Sequence, residues 1–176
     1  MNVVLIGYRG TGKSTIGRLL AAKLHYEFLD ADELLEQRSQ RTIRDIFATD
    51  GEPYFRDLEA DVLTELLCGD NRVLALGGGA VLRDTNREAI KRSGIRTVWL
   101  QAAAMDLLAR IESDPTTAQR RPNLTARGGL AEIECMLALR TPLYRDCAEF
   151  TIDTTNKAPE QIAAEVVALL RGTPLL

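Results

Sequence analysis

Gly7-Tyr8-Arg9-Gly10-Thr11-Gly12-Lys13-Ser14 has the residue types and spacing that hold a phosphate chain. It fits G-x-x-x-x-G-K-[ST]. Glycines allow positive φ, so the backbone curls with its N–H groups inward. Gly10, Thr11, Gly12 and Thr15 would complete the cradle around a nucleotide such as ATP. Lys13 would reach the β- and γ-phosphates, and the Ser14 hydroxyl would ligate Mg2+. The plainer reading is a glycine-rich turn in an ordinary βα unit. The apolar run Val3–Ile6 before the loop and the amphipathic stretch Ile16–Leu24 after it favour the phosphate reading, because a strand, a loop and a helix N-terminus are its required frame.

Further along, acids and arginines recur at element ends. Asp30-Ala31-Asp32 closes a short apolar run. One carboxylate could hold Mg2+ through water, and the other could take a hydrogen bond or proton from an attacking hydroxyl. Alternatively, Asp32 is a helix N-cap. Many phosphate-loop proteins place their metal-linked Asp after the third strand, but here that strand runs into Gly77-Gly78-Gly79, which leaves Asp30 as the nearest candidate. Three glycines at a strand end allow close backbone approach to a ligand. Arg56 and Glu59 are i, i+3 neighbours on a predicted helix, either a surface ion pair or an arginine oriented to bind an anion as a planar fork. Arg120, Arg121 and Arg127 lie in a polar stretch rich in breakers, expected to be a lid whose arginine stabilises a transferring phosphoryl group, or else a solvated basic loop. Arg140 either points into a crevice or complements a helix C-terminus.

These residues need a frame. Apolar runs at 2–6, 27–30, 72–76, 96–100 and 149–153 read as strands. Helical patterns cover 14–24, 32–39, 42–48, 53–68, 84–93, 103–111, 129–144 and 159–171. The alternation predicts an α/β fold with a parallel sheet, whose ligands sit beyond the carboxyl ends of the strands. Chain length, 176 residues, suits one domain, 1–176, with a substrate-binding region at about 32–60 and the lid at about 112–129. A formal charge of −3 gives no nucleic-acid footprint. No apolar run could span a bilayer, and a strand starting at residue 2 leaves no room for a signal peptide. Three cysteines without ligand spacing read as reduced thiols, and the single histidine, His25, reads as structural at a helix end. A cytoplasmic enzyme is expected, and a monomer, since no heptad or long exposed apolar face is evident.

Taken together, these segments resemble the shikimate kinase family over nearly the whole chain. The resemblance is carried by the phosphate loop with Thr15, Asp30-x-Asp32, Gly51-Glu-x-x-Phe55-Arg56-x-x-Glu59, Gly77–Gly79, Arg121-Pro122 and Arg140-x-Pro-Leu-Tyr144. It implies a three-layer, five-stranded parallel sheet in order 2-3-1-4-5, with helices on both faces and a lid. It also implies transfer of the ATP γ-phosphoryl to the 3-hydroxyl of shikimate, in the route to chorismate and the aromatic amino acids. By resemblance, Arg56 and Arg140 clamp the substrate carboxylate, and Gly78 and Gly79 add backbone contacts. Asp32 binds ring hydroxyls and is the base or orienter for the 3-hydroxyl. Lys13 and Arg121 hold the γ-phosphate. Ser14 and Asp30, the latter through water, hold Mg2+. Pro159 and Arg110 flank the adenine.

Arg9, Asp57 and Asn123 depart from the usual family residues. Arg9 would face the acceptor side of the loop. A gluconate kinase of the same shape would not need two arginines poised for a carboxylate on a ring, and a nucleoside monophosphate kinase fits less well still. A catalytically dead regulator would have no reason to keep Lys13, Asp32, Arg56, Arg121 and Arg140 together.

Overall fold

Val3–Ile6 is buried at every position, as a central strand covered on both faces must be. It forms β1 in a computed structural model that describes residues 1–114 and 129–172. In chain order the other elements are α1 (Lys13–Leu24), β2 (Glu27–Asp30), α2 (Ala31–Ser39), α3 (Ile43–Thr49), α4 (Gly51–Leu66), β3 (Arg72–Ala75), a 3-10 turn (Ala80–Leu82), α5 (Asp84–Arg92), β4 (Arg96–Gln101), α6 (Ala104–Ser113), α7 (Gly129–Cys147), β5 (Phe150–Asp153) and α8 (Pro159–Leu170). The strands pair in parallel in the order β2-β3-β1-β4-β5. This is the expected α/β class and strand order, and every expected strand and helix is present.

The pleat sends alternate residues to opposite layers. Val4, Ile6, Leu74 and Trp99 pack with Leu35, Ile46, Phe55, Leu63 and Tyr144 on one face. Val3, Leu5, Val73, Val98 and Leu100 pack with Ile16 and Leu20 of α1 and Ile162 and Val166 of α8 on the other. Each side chain of this kind contributes roughly 1.5–3 kcal/mol relative to exposure. A third cluster of Tyr8, Leu107 and Ile133 ties the phosphate loop to α6 and α7. No helix among the described residues is long and apolar enough to cross a membrane.

Two boundaries differ from the sequence reading for physical reasons. α2 is capped by Asp30, whose side chain accepts from the backbone N–H groups of Asp32 and Glu33; Asp32 itself lies inside the first turn. α7 runs on through Pro142 to Cys147, so Arg140 lies in its interior and not at its end. The burial of Tyr144 and Cys147 against the sheet outweighs the backbone bond that Pro142 cannot make. Of the expected lid, residues 112 and 113 belong to α6 and residue 129 opens α7, whereas Arg120, Arg121, Asn123 and Arg127 lie outside the described residues.

Candidate functional site

The phosphate loop joins β1 to α1 through three residues in left-handed or mirror-image backbone conformations: Gly7, Gly10 and Gly12, at φ 143°, 82° and 87°. Side chains rarely adopt these angles. The Lys13 ammonium donates to the carbonyls of Gly7 at 2.8 Å and Tyr8 at 2.9 Å, so it lies along the inside of the loop. The Thr11 hydroxyl donates to the Tyr8 carbonyl at 2.8 Å and braces the curl. The loop from Arg9 to Thr15, which includes the start of α1, lines a crevice of about 580 Å³.

Asp30 and Asp32 line the same crevice, opposite the loop. The Ser14 hydroxyl donates to Asp30 Oδ2 at 2.6 Å, so the two expected metal residues are in direct contact. Burial, the largest influence, pushes the Asp30 carboxyl above its ordinary 3.8; the Ser14 hydrogen bond opposes this, and the charges of Asp32 and Glu33 add to the rise. A hydroxyl and a carboxylate beside a phosphate cradle are hard oxygen donors of the kind Mg2+ takes together with phosphate oxygens.

The ion pair of Arg56 and Glu59 on α4 is not a surface pair. Nη1 of Arg56 donates to Glu59 Oε2 at 2.7 Å, with the side chains 9% and 4% exposed. Glu52 accepts from Nη2 of the same guanidinium at 2.8 Å, giving it a second partner that the sequence reading did not name. Gly79 lies directly on the Arg56 guanidinium, where a Cβ would overlap it. The next residue back, Gly78, lies beside the phosphate loop: a Cβ there would stand 3.4 Å from Arg9 N and from Gly7 O, at ordinary contact distance. Its carbonyl accepts from Arg140 Nη1 at 3.2 Å and from the Tyr144 hydroxyl at 2.5 Å. Arg140 therefore points into the fold. Neither Gly78 nor Gly79 has positive φ, so at Gly79 close approach to Arg56 is what requires glycine, whereas a Cβ on Gly78 would make ordinary contact with the loop.

Arg110 of α6 donates to the Thr154 carbonyl at 2.8 Å and to its hydroxyl at 3.0 Å. It lines the crevice together with Pro159, Lys157 and Asp114. Lys157 and Asp114 were not anticipated, because neither carries a spacing signal. The departure at Asp57 has a local partner, an ion pair with Arg83 at 2.7 Å. Arg121 lies outside the described residues.

A family model described as shikimate kinase matches residues 9–171. The shikimate kinase of Symbiobacterium thermophilum is 41% identical over 171 residues, covering 97% of each chain. A solved shikimate kinase from Acinetobacter baumannii, in complex with shikimate, superposes with a TM-score of 0.91 at 36% identity, covering 99% of this chain and 95% of the other. A gluconokinase from Sinorhizobium meliloti superposes with a TM-score of 0.61 at 18% identity, covering 97% of this chain and 91% of the other, a likeness of fold alone.

Proposed function

This chain belongs to the shikimate kinase family, and from that premise we propose how its own residues phosphorylate shikimate. The observation that carries the assignment is the meeting of two buried arginines, Arg56 and Arg140, at Gly78 and Gly79, with Gly78 in contact with the phosphate loop. An acceptor carboxylate held there would lie on the side of Gly78 that meets the phosphate loop. Gluconate carries a carboxylate too, but two rigid forks fixed by Glu52, Glu59 and a backbone carbonyl suit a compact ring held in one orientation.

Arg56 and Arg140 take the carboxylate, and the backbone of Gly78 and Gly79 forms the floor beneath the ring. Asp32 accepts a hydrogen bond from the 3-hydroxyl and orients its oxygen toward the γ-phosphorus. As the new O–P bond forms and the bond to the ADP oxygen breaks, the hydroxyl proton passes to Asp32. The proton moves late, because an alcohol is far too weak an acid to lose it beforehand. Lys13 leaves the Gly7 and Tyr8 carbonyls for the phosphate oxygens, and Arg121 is assigned to the γ-phosphate with it. Gly10, Thr11, Gly12 and Thr15 cradle the chain of phosphates, while Arg110 and Pro159 flank the adenine. Ser14 and Asp30 would hold the divalent ion, which we assign as Mg2+; when bound it neutralises charge on the phosphates. The segment at about 112–129 is assigned as the lid of a single domain spanning 1–176. We place the enzyme in the cytoplasm, as a monomer working on two small molecules without a nucleic-acid or membrane partner.

The test is a coupled ADP-release assay with shikimate, quinate, gluconate and nucleoside monophosphates as acceptors. Turnover with shikimate far above the others is expected. Preferred use of gluconate or a nucleoside monophosphate would sink the assignment.

A further inference from the structure

An ion pair joins the phosphate loop to α7, and the roles above leave it unused. Arg9 Nη2 donates to Glu132 Oε1 at 3.0 Å, with the side chains 11% and 0% exposed. Arg9 Nε is buried without a hydrogen-bond partner, so the guanidinium is set by Glu132 and not by a saturated network. Glu132 stands in the first turn of α7, and Arg140 lies two turns further along the same helix. Tyr8, the neighbour of Arg9 in the loop, has the Arg9 guanidinium carbon 5.8 Å and the Arg140 guanidinium carbon 5.6 Å from its ring centre. Glu132, Arg9, Tyr8, Arg140 and Gly78 therefore form one continuous, largely buried chain of contacts from the loop to the acceptor floor.

We propose that Arg9 and Glu132 are positioning residues: together they hold α7, and through it Arg140, in register with the phosphate loop, so that the bound acceptor hydroxyl lines up with the donor phosphorus. Apolar contacts between a loop and a helix tolerate sliding, whereas a charge-assisted hydrogen bond between buried groups fixes direction. Such a pair contributes little net stability but can specify one arrangement. Register matters here because a misplacement of about 1 Å in a two-substrate reaction can cost 100-fold in rate. The proposal rests on the phosphoryl-transfer reading above.

The experiment compares wild type, Arg9→Met, Glu132→Gln, the double variant and Arg9→Lys in the full chain. It reads kcat, both KM values and Tm, together with amide exchange along residues 129–147 with and without Mg2+–ADP. Each single variant is expected to lose about tenfold or more in kcat while its ATP KM stays within about twofold. The double variant should lose no more than the worse single, because the two residues act as one unit. Arg9→Lys, which keeps a charge for Glu132, should retain more kcat than Arg9→Met. ADP should increase protection along 129–147 in wild type and less so in Glu132→Gln. Lowered Tm with unchanged kcat would show a merely structural pair and overturn the proposal, as would losses that multiply in the double variant. A selective loss of shikimate affinity in the Arg9 variants alone would overturn it in favour of direct contact with the acceptor. Where a single variant fails to fold, the double variant decides, and wild-type kcat there overturns the pairing. Wild type that does not turn over shikimate would defeat the functional reading instead. The exchange comparison would still judge the pair, with equal ADP-induced protection in wild type and Glu132→Gln counting against it.

Discussion

Arg56 is held by Glu52 and Glu59 and roofed by Gly79, so its fork is in place before any acceptor arrives. Arg56→Ala and Arg140→Ala should each weaken shikimate binding about 10- to 150-fold, the equivalent of one charge-assisted hydrogen bond at about 1.5–3 kcal/mol. Calorimetric titration with shikimate checks this, and unaltered affinity would remove the clamp. Asp32→Asn separates orientation from binding: kcat should fall at least 100-fold with ATP affinity nearly unchanged, and turnover within a few-fold of wild type would exclude Asp32 as base or orienter. Much at this scale was legible because the signals are local. Glu59 follows Arg56 by three residues, and Lys13 follows Gly12 directly. The alternative that Asp32 caps α2 does not hold, because Asp30 is the cap; two aspartates two residues apart offer the same capping chemistry, and only the helix start distinguishes them. The pairing of Arg9 with Glu132 spans 123 residues and leaves no local pattern.

Among the elements, α1 decides where the phosphate loop ends, and its distance from the sheet is set at Gly17. A Cβ on Gly17 would lie 3.0 Å from Phe28 Cδ2 and closer still to the next ring carbon, with Leu5 Cδ1 at 3.4 Å. In an exposed helix interior, Gly→Ala gains about 1 kcal/mol. Here overpacking against a rigid ring, typically about 1–3 kcal/mol, wins. Gly17→Ala should therefore lower Tm and raise the ATP KM by tilting the loop, and Phe28→Leu in the same chain should restore both. A Tm raised by Gly17→Ala alone would show that the helix has room. Helix propensity favours the wrong sign here, because the sequence shows glycine in a helix without showing the ring opposite it. The same limit applied to α7, where Pro142 and the Arg140–Tyr144 segment suggested a helix end until the buried ring of Tyr144 carried the helix past it.

For the whole molecule, the parallel sheet brings distant segments to one edge: the loop after β1, Asp30 after β2, Gly78 after β3 and Pro159 beyond β5. Strand order was not deducible from periodicity, which reveals strands but not their neighbours; it came from family resemblance, and the observed pairing agrees. Such a site is assembled only in the folded chain, so its ligands should stabilise the fold by mass action. At a free concentration about 100 times Kd, a ligand that binds only the native state adds about 2.7 kcal/mol. In a chain of this size each kcal/mol raises Tm by about 2–4 °C, so Mg2+–ADP should shift Tm by about 5–11 °C. Lys13→Met should lose most of that shift, because its ammonium faces the loop interior where the phosphates would lie. Chelating the metal should reduce the shift in wild type, and Asp30→Asn should make the remaining shift insensitive to chelator, since Asp30 and Ser14 are the assigned protein donors. Scanning calorimetry on the three proteins, with and without EDTA, reads all of this. A full shift that persists in Lys13→Met would place the nucleotide elsewhere, whereas an EDTA-insensitive shift in wild type would remove Ser14 and Asp30 from any metal-holding role.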